Sequence, residues 1–289
     1  MTQTSDPTRT VPTRRISFEE ALTDLPRHFA ADGNVISSHV IANLSAVFPD
    51  GEDFFVRSVR HYRSKITDPD LKKQVNGFIG QEAMHGREHR VFNDRLAELG
   101  YPTKQVERFT RWGLELRSRT APASANLAAT AALEHFTATL AELVLRNEDL
   151  REAIGADVVR EIFEWHALEE SEHKAVAFDV YRAVGGGERL RVWTMKMIRF
   201  GFVVGMTLQV LVSIAGDREA RSIRRLRKDW KAFKKLPVLR KGVWDTLRDY
   251  DRRDFHPDDH DTVALVEEWQ GRLFGESGTL NDKLVGAAA

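Results

Sequence analysis

The run at 79–89, IGQEAMHGREH, places two histidines and two carboxylates among residues whose remaining pattern is that of the inward side of a helix. A helix advances about 100° per residue, so Glu82 and His85, three apart, share one face, and His89 follows one turn later. Val75, Phe78, Ile79, Phe92 and Leu96 form the apolar stripe of that face, so the charged cluster points inward. A buried carboxylate without a partner costs several kcal/mol. It needs an arginine, a hydrogen-bond network or a metal ion.

The same spacing returns at 161–181, EIFEWHALEESEHKAVAFDVY, in Glu170 and His173, again on a stripe of apolar residues. Between the two pairs, LAATAALEHFTATLAELVL carries Glu134 with the small neighbours Thr130, Ala131 and Ala138. Ahead of the first pair, FPDGEDFFVRSVRHYR carries Glu52, followed on its buried side by Phe55, Val56 and Val59. The order Glu, Glu-x-x-His, Glu, Glu-x-x-His is that of ferritin-like dinuclear metal sites. Gaps of 30 residues from Glu52 to Glu82 and 36 from Glu134 to Glu170 leave room for a turn and an antiparallel neighbour. One Glu-x-x-His alone has little weight, because such pairs are common on helix surfaces. Two in register with two further inward glutamates carry the expectation. The four carboxylates and two imidazoles suit two iron ions, with manganese or a mixed iron–manganese pair as the alternative.

Three further residues stand close to this set. Glu169 competes with Glu170, since it shares a stripe with Trp165, Val176 and Val180, and Glu172 competes too; the Glu-x-x-His template selects Glu170. His89 and His166 lie one turn from His85 and Glu170, as additional ligands, partners of ligands or proton carriers. His135 points about 100° away from Glu134 and is expected to be structural.

The same stretches, together with the later DFHPDDHD, resemble the bacterial proteins labelled predicted metal-dependent hydrolases, a group related to ferritin-like di-iron proteins. The resemblance runs over most of the chain. It implies a metal site at Glu52, Glu82, His85, Glu134, Glu170 and His173, with His89, His166 and Glu169 around it.

The elements that must position these residues are helical throughout, since periods of about 3.6 are long and strand-like alternation is hard to find. The pattern predicts an all-α protein: a ferritin-like four-helix bundle with additional C-terminal helices. Helices are expected over 17–31, 34–66, 68–99, 104–119, 122–149, 155–184, 188–214, 217–234 and 259–274. Breaks are expected at Pro49-Asp50-Gly51, Asp68-Pro69, Gly100-Tyr101-Pro102, Ala121-Pro122 and Gly185-Gly186-Gly187. The chain divides into a flexible N-terminal arm (1–16), the metal-binding bundle (17–184), a C-terminal helical extension (185–275) and a flexible tail (276–289).

Among 289 residues there is no cysteine, which removes disulfides, iron–sulfur clusters, thiol nucleophiles and thiolate zinc sites. Forty-three basic and 43 acidic residues cancel, which argues against a nucleic-acid partner. The charge is nevertheless unevenly spread. Residues 200–216, FGFVVGMTLQVLVSIAG, are free of charge, and 217–241 then carries 11 Lys or Arg against 3 Asp or Glu, a local +8. The apolar run is expected as a buried fifth helix or homodimer face, as a docking element for an anionic membrane surface, or as a span at the short limit of length. No hydrophobic signal core opens the sequence, and a cytoplasmic protein, peripheral at the inner membrane surface, is expected.

Three functions follow. An O2-dependent oxidase or oxygenase of an apolar or lipid-like small molecule is favoured, because four glutamates and two histidines in a bundle are a common oxygen-activating set. The alternative is a hydrolase that uses a metal-activated water. The third is non-enzymatic, either ferritin-like metal storage or a membrane-surface adaptor.

Overall fold

Two of the helices that carry the candidate ligands begin at side-chain caps. Asn34 opens α1 (Val35–Arg60), its side chain accepting from Ser37 N. Asp68 opens α2 (Pro69–Glu98) by accepting from Asp70 N and Leu71 N, with Pro69 at a position that needs no donor. The computed structural model describes residues 10–286. It continues through α3 (Thr103–Thr120), α4 (Ala123–Arg146), α5 (Glu148–Ile154), α6 (Asp157–His173) and α7 (Val176–Ala183). The C-terminal part adds α8 (Glu188–Gly216), α9 (Ile223–Phe233), α10 (Lys241–Asp249) and α11 (Val263–Phe274). Among the described residues the β structure is one isolated antiparallel bridge, Ile16 to Leu284. The protein is all-α, as expected.

Four helices make the frame. α1 lies along α2 and α4 along α6, and the two pairs meet through α1 against α4 and α2 against α6. Two apolar clusters occupy the two ends of this frame. One holds Phe54, Phe78, Leu127 and Phe178, and the other holds Phe18, Phe92, Trp165 and Trp269. On α2 a polar layer lies between Phe78 of the first cluster and Phe92 of the second. The apolar layers on either side bury that layer's charges.

Several boundaries differ from expectation. α1 does not break at Pro49-Asp50-Gly51, although proline cannot donate to the carbonyl of Ser45. Asn93 Nδ2 on α2 donates to that carbonyl at 3.2 Å instead, and Arg90 Nη2 donates to the Pro49 carbonyl at 3.3 Å. The freed acceptor is satisfied from the neighbouring helix, so Glu52 remains on a continuous α1. Residues 17–31 are not a helix but a series of turns ending in a 3-10 turn at Ala31–Gly33. Their apolar residues Phe18, Leu22, Leu25 and Phe29 are spaced as on a helix and are all buried, yet Pro26 disfavours a helix through them. The helix expected over 155–184 is interrupted at Lys174-Ala175, and α10 was not expected.

The described parts of the arm and tail, 10–16 and 276–286, make specific contacts with each other. Residues 1–9 and 287–289 lie outside the described residues. Of the rest, Ile16 and Leu280 are buried, Val285 N donates to the Arg15 carbonyl at 2.8 Å and Ser17 N to the Lys283 carbonyl at 3.0 Å. The start and end of the described chain therefore fasten each other to the bundle.

The apolar run is neither fully buried nor free. α8 packs along α4 and α1 and is pinned at both ends: Arg191 is fully buried with Nη2 on the Arg252 carbonyl at 2.6 Å, and Ser213 Oγ lies 2.7 Å from His39 Nδ1. Its outer side is exposed.

Candidate metal centre

α1, α2, α4 and α6 bring Glu52, Glu82, His85, Glu134, Glu170 and His173 into one buried layer, none more than 2 % exposed. Gly86 permits the approach of α1, since a Cβ there would lie 3.2 Å from Glu52 Oε2. His173 Nε2 lies 3.0 Å from Glu82 Oε1, 3.4 Å from Glu134 Oε2 and 3.6 Å from Glu170 Oε1. His85 Nδ1 lies 3.7 Å from Glu170 Oε1 and 4.0 Å from Glu82 Oε1.

The atoms that face one another across this layer are the ones without hydrogen-bond geometry. Both oxygens of Glu52, Glu82 and Glu134, Oε2 of Glu170, Nδ1 of His85 and Nε2 of His173 are buried and unpartnered. Buried polar atoms are paired in all but a few cases, so nine orphans in one layer require a cause.

The surrounding hydrogen bonds fix which histidine nitrogens are bare. Gln81 Nε2 donates to the Pro12 carbonyl at 3.0 Å and to Glu172 Oε2 at 2.6 Å, so its Oε1 must accept, and it sits 2.8 Å from His173 Nδ1. His173 therefore carries a proton on Nδ1 and turns Nε2 to the layer. His85 has Nε2 against Glu169 Oε2 at 3.1 Å, which leaves Nδ1 as the bare nitrogen.

A longer chain reaches His166. Asn93 Nδ2 donates to the Ser45 carbonyl and, at 3.0 Å, to Glu107 Oε1, so its Oδ1 accepts from Ser45 Oγ at 2.7 Å. Ser45 Oγ then accepts from His89 Nδ1 at 2.9 Å, and His89 Nε2 accepts from His166 Nδ1 at 2.6 Å. His166 Nε2 turns to the layer, in hydrogen-bond contact with Glu170 Oε1 at 3.0 Å and 3.9 Å from Glu52 Oε1. A cation standing between these nitrogens and the carboxylate oxygens they face would satisfy both. Two triads of converging donor atoms, Glu52 with His85 and His166, and Glu82 with Glu170 and His173, offer the places for one.

The electrostatics of the layer are divided: burial opposes the charge of His173, but Glu170, with Glu134 and Glu82, holds it well above the usual histidine value. Burial, then Glu134, pushes Glu82 up to about 8. Burial raises Glu134 to about 7 and, with Glu82 and Glu170 nearby, holds Glu52 well above the ordinary carboxylate range. Burial and then His166 hold His85 well below the usual histidine value. Glu170 is the exception: burial opposes its charge, but His173 and His166 hold it well below the usual range.

The structure places the competing residues elsewhere. Glu169 turns to Arg14 Nη1 at 2.9 Å as well as to His85, and Glu172 takes both Arg14 nitrogens together with Gln81 and Gln270. His135 Nε2 faces the Thr246 carbonyl at 3.1 Å, away from the layer. Arg14 and Gln81 escaped the sequence reading. Arg14 lay in the supposed flexible arm. Its berth has one sequence signal: Gly77 and Gly80 strip a face of α2 bare, where added Cβ atoms would meet the Val11 carbonyl at 2.1 Å and Thr13 Oγ1 at 2.0 Å.

Comparison with known proteins adds the family. The model of the predicted metal-dependent hydrolases matches residues 12–261, which includes all four frame helices. The chain belongs to that family. Nothing among the curated proteins and no solved structure matches it. The family description supports metal dependence and hydrolysis, and gives no support to the preference for oxidation drawn from the ligand types.

Proposed function

We propose that this predicted metal-dependent hydrolase holds two divalent metal ions in a ferritin-like centre and uses them to hydrolyse a small apolar or lipid-like molecule. The observation that carries the reading is the set of orphaned carboxylate oxygens beside two unpartnered histidine nitrogens, His85 Nδ1 and His173 Nε2. Glu52, Glu82, His85, Glu134, Glu170 and His173 would hold the ions, with His166 Nε2 as a seventh donor. Bound there, the ions would supply a water of near-neutral pKa and polarise a carbonyl or phosphoryl oxygen.

The chain's own contribution is orientation and exclusion of water. Glu169 fixes His85, Gln81 fixes His173, and the Ser45–His89 chain fixes His166, in the manner of outer partners that set ligand tautomers. The Ser45–His89–His166 chain ends on Asn93, whose Oδ1 accepts from Ser45 Oγ and passes no proton on, so His89 is better suited to orient His166 than to carry protons. A cleft of about 390 Å3, lined by Thr10, Glu172, Lys174, His260, Asp261 and Gln270, offers a place for substrate on the residues that flank His173 in sequence.

Oxidation remains a second reading on one observation. The layer is buried and Phe48 packs on His89 and His166 with ring centroids 4.8 and 4.7 Å away, a setting suited to oxygen chemistry on iron. The test is turnover of ester and phosphoester substrates by manganese- or iron-loaded protein under nitrogen. Hydrolysis predicts turnover without oxygen. Absence of turnover together with stoichiometric oxygen uptake and a ferric absorption band would transfer the assignment to oxidation.

A further inference from the structure

Among the described residues the outer face of α8 has no partner. Trp193, Met197, Phe200, Val204, Leu208 and Leu211 succeed one another at helical spacing along it, and all are substantially exposed, Phe200 at 69 % and Leu208 at 57 %. A continuous apolar stripe this long on a surface marks a place of contact. α8 is long and apolar enough to cross a membrane, but its attachment along α4 and α1, with Arg191 and Ser213 buried at its two ends, keeps it on the bundle. The face, rather than the helix, is what is available.

The charge next to that face is of one sign. α9 follows α8 after a short turn, and Arg224, Arg227, Lys228, Lys231, Lys234 and Lys235 are exposed on or just beyond it. The acids of the segment are spent elsewhere: Asp217 holds Arg27, His28 and His39, and Asp229 accepts from Val35 N at 3.0 Å. Among the described residues Arg225 alone of this run finds carboxylates, Glu219 at 2.9 Å and Asp229 at 4.0 Å. Trp230 is 51 % exposed beside the cations, and Trp193 stands near the other end of the apolar stripe. Apolar residues with tryptophans and a basic flank are the composition of an element that lies in a membrane interface. An anionic lipid surface complements this charge, whereas a second copy joined through the same face would set cation against cation.

We infer that α8 and α9 together dock the protein onto an anionic lipid bilayer, with the α8 stripe inserted among the acyl chains and the α9 cations on the headgroups. The attraction is screened over about 8 Å at physiological salt, so attachment weakens as salt rises.

The experiment is flotation of the full-length protein with vesicles of phosphatidylglycerol and phosphatidylcholine, and with phosphatidylcholine alone. Two variants accompany it, Phe200→Glu/Leu208→Glu and Arg224→Glu/Arg227→Glu/Lys231→Glu/Lys234→Glu, each checked for helical circular dichroism. All their sites are exposed, so both are expected to fold. The wild type is expected to float with the anionic vesicles and at least about tenfold less with neutral ones or with either variant. Failure of the wild type to float at low salt, or flotation that both variants retain, overturns the inference. A wild-type dimer that Phe200→Glu/Leu208→Glu splits, with no flotation, overturns it in favour of a second copy.

Discussion

Glu170 and Glu169 are neighbours in sequence, both buried, yet they have different roles, and the difference comes from a residue 155 positions from Glu169. Arg14 claims Glu169 and Glu172, which leaves Glu170 to face His85, His166 and His173. Helical spacing made the inward glutamates and histidines legible. It could not sort them, because hydrogen bonds arriving from other segments decide which nitrogen or oxygen is bare. Gln81 illustrates the consequence. Gln81→Leu removes the acceptor that holds His173 Nδ1–H while leaving every candidate ligand in place. Metal affinity, read by competition with a chelator, is expected to fall about 10- to 100-fold. An unchanged affinity would mean that His173 is not held for a metal.

At the scale of elements, Gly77 and Gly80 make α2 a bed for residues 11–14. The sequence displays those glycines plainly, but a helical glycine is equally compatible with nothing at all, as Gly113 shows, where an added Cβ meets no atom within 4 Å. The two positions make a matched pair. Gly80→Ala drives a methyl onto Thr13 and is expected to cost about 1–3 kcal/mol of stability and to speed tryptic cleavage after Arg14. Gly113→Ala is expected to stabilise by up to about 1 kcal/mol through helix propensity. Thermal melts and timed proteolysis check both. The unbroken α1 carries a similar lesson: Pro49 signals a break locally, and Asn93 on α2 removes the reason for it.

For the molecule as a whole, the metal-free layer sets a pH dependence. Glu82 and Glu134, raised to about 8 and about 7 chiefly by burial, hold protons in the folded state that the unfolded chain releases above the ordinary carboxylate range. Their contribution to stability is fully present below that range and is lost as pH rises through about 7 and about 8. The melting temperature of metal-free protein is therefore expected to fall between about pH 6.5 and 8.5, and added metal is expected to restore it most at the alkaline end. A melting temperature that rises over this interval would contradict the assignment of buried, protonated carboxyls. The fold class and the four-helix frame were legible because the ligand-bearing stretches are long and periodic. The fastening of both chain ends was not, because single buried residues such as Ile16 and Leu280 in polar segments leave no period to read.

Metal content per chain tests the central claim most directly, measured by elemental analysis on wild type and on Glu134→Ala. Glu134 is the one buried-layer carboxylate that α4 supplies, so no neighbour on that helix replaces it. The wild type is expected to carry about two divalent ions of iron or manganese, and Glu134→Ala at most about half as many with the fold retained. A wild type without bound metal after reconstitution, or a Glu134→Ala protein with undiminished content, would contradict the dinuclear centre.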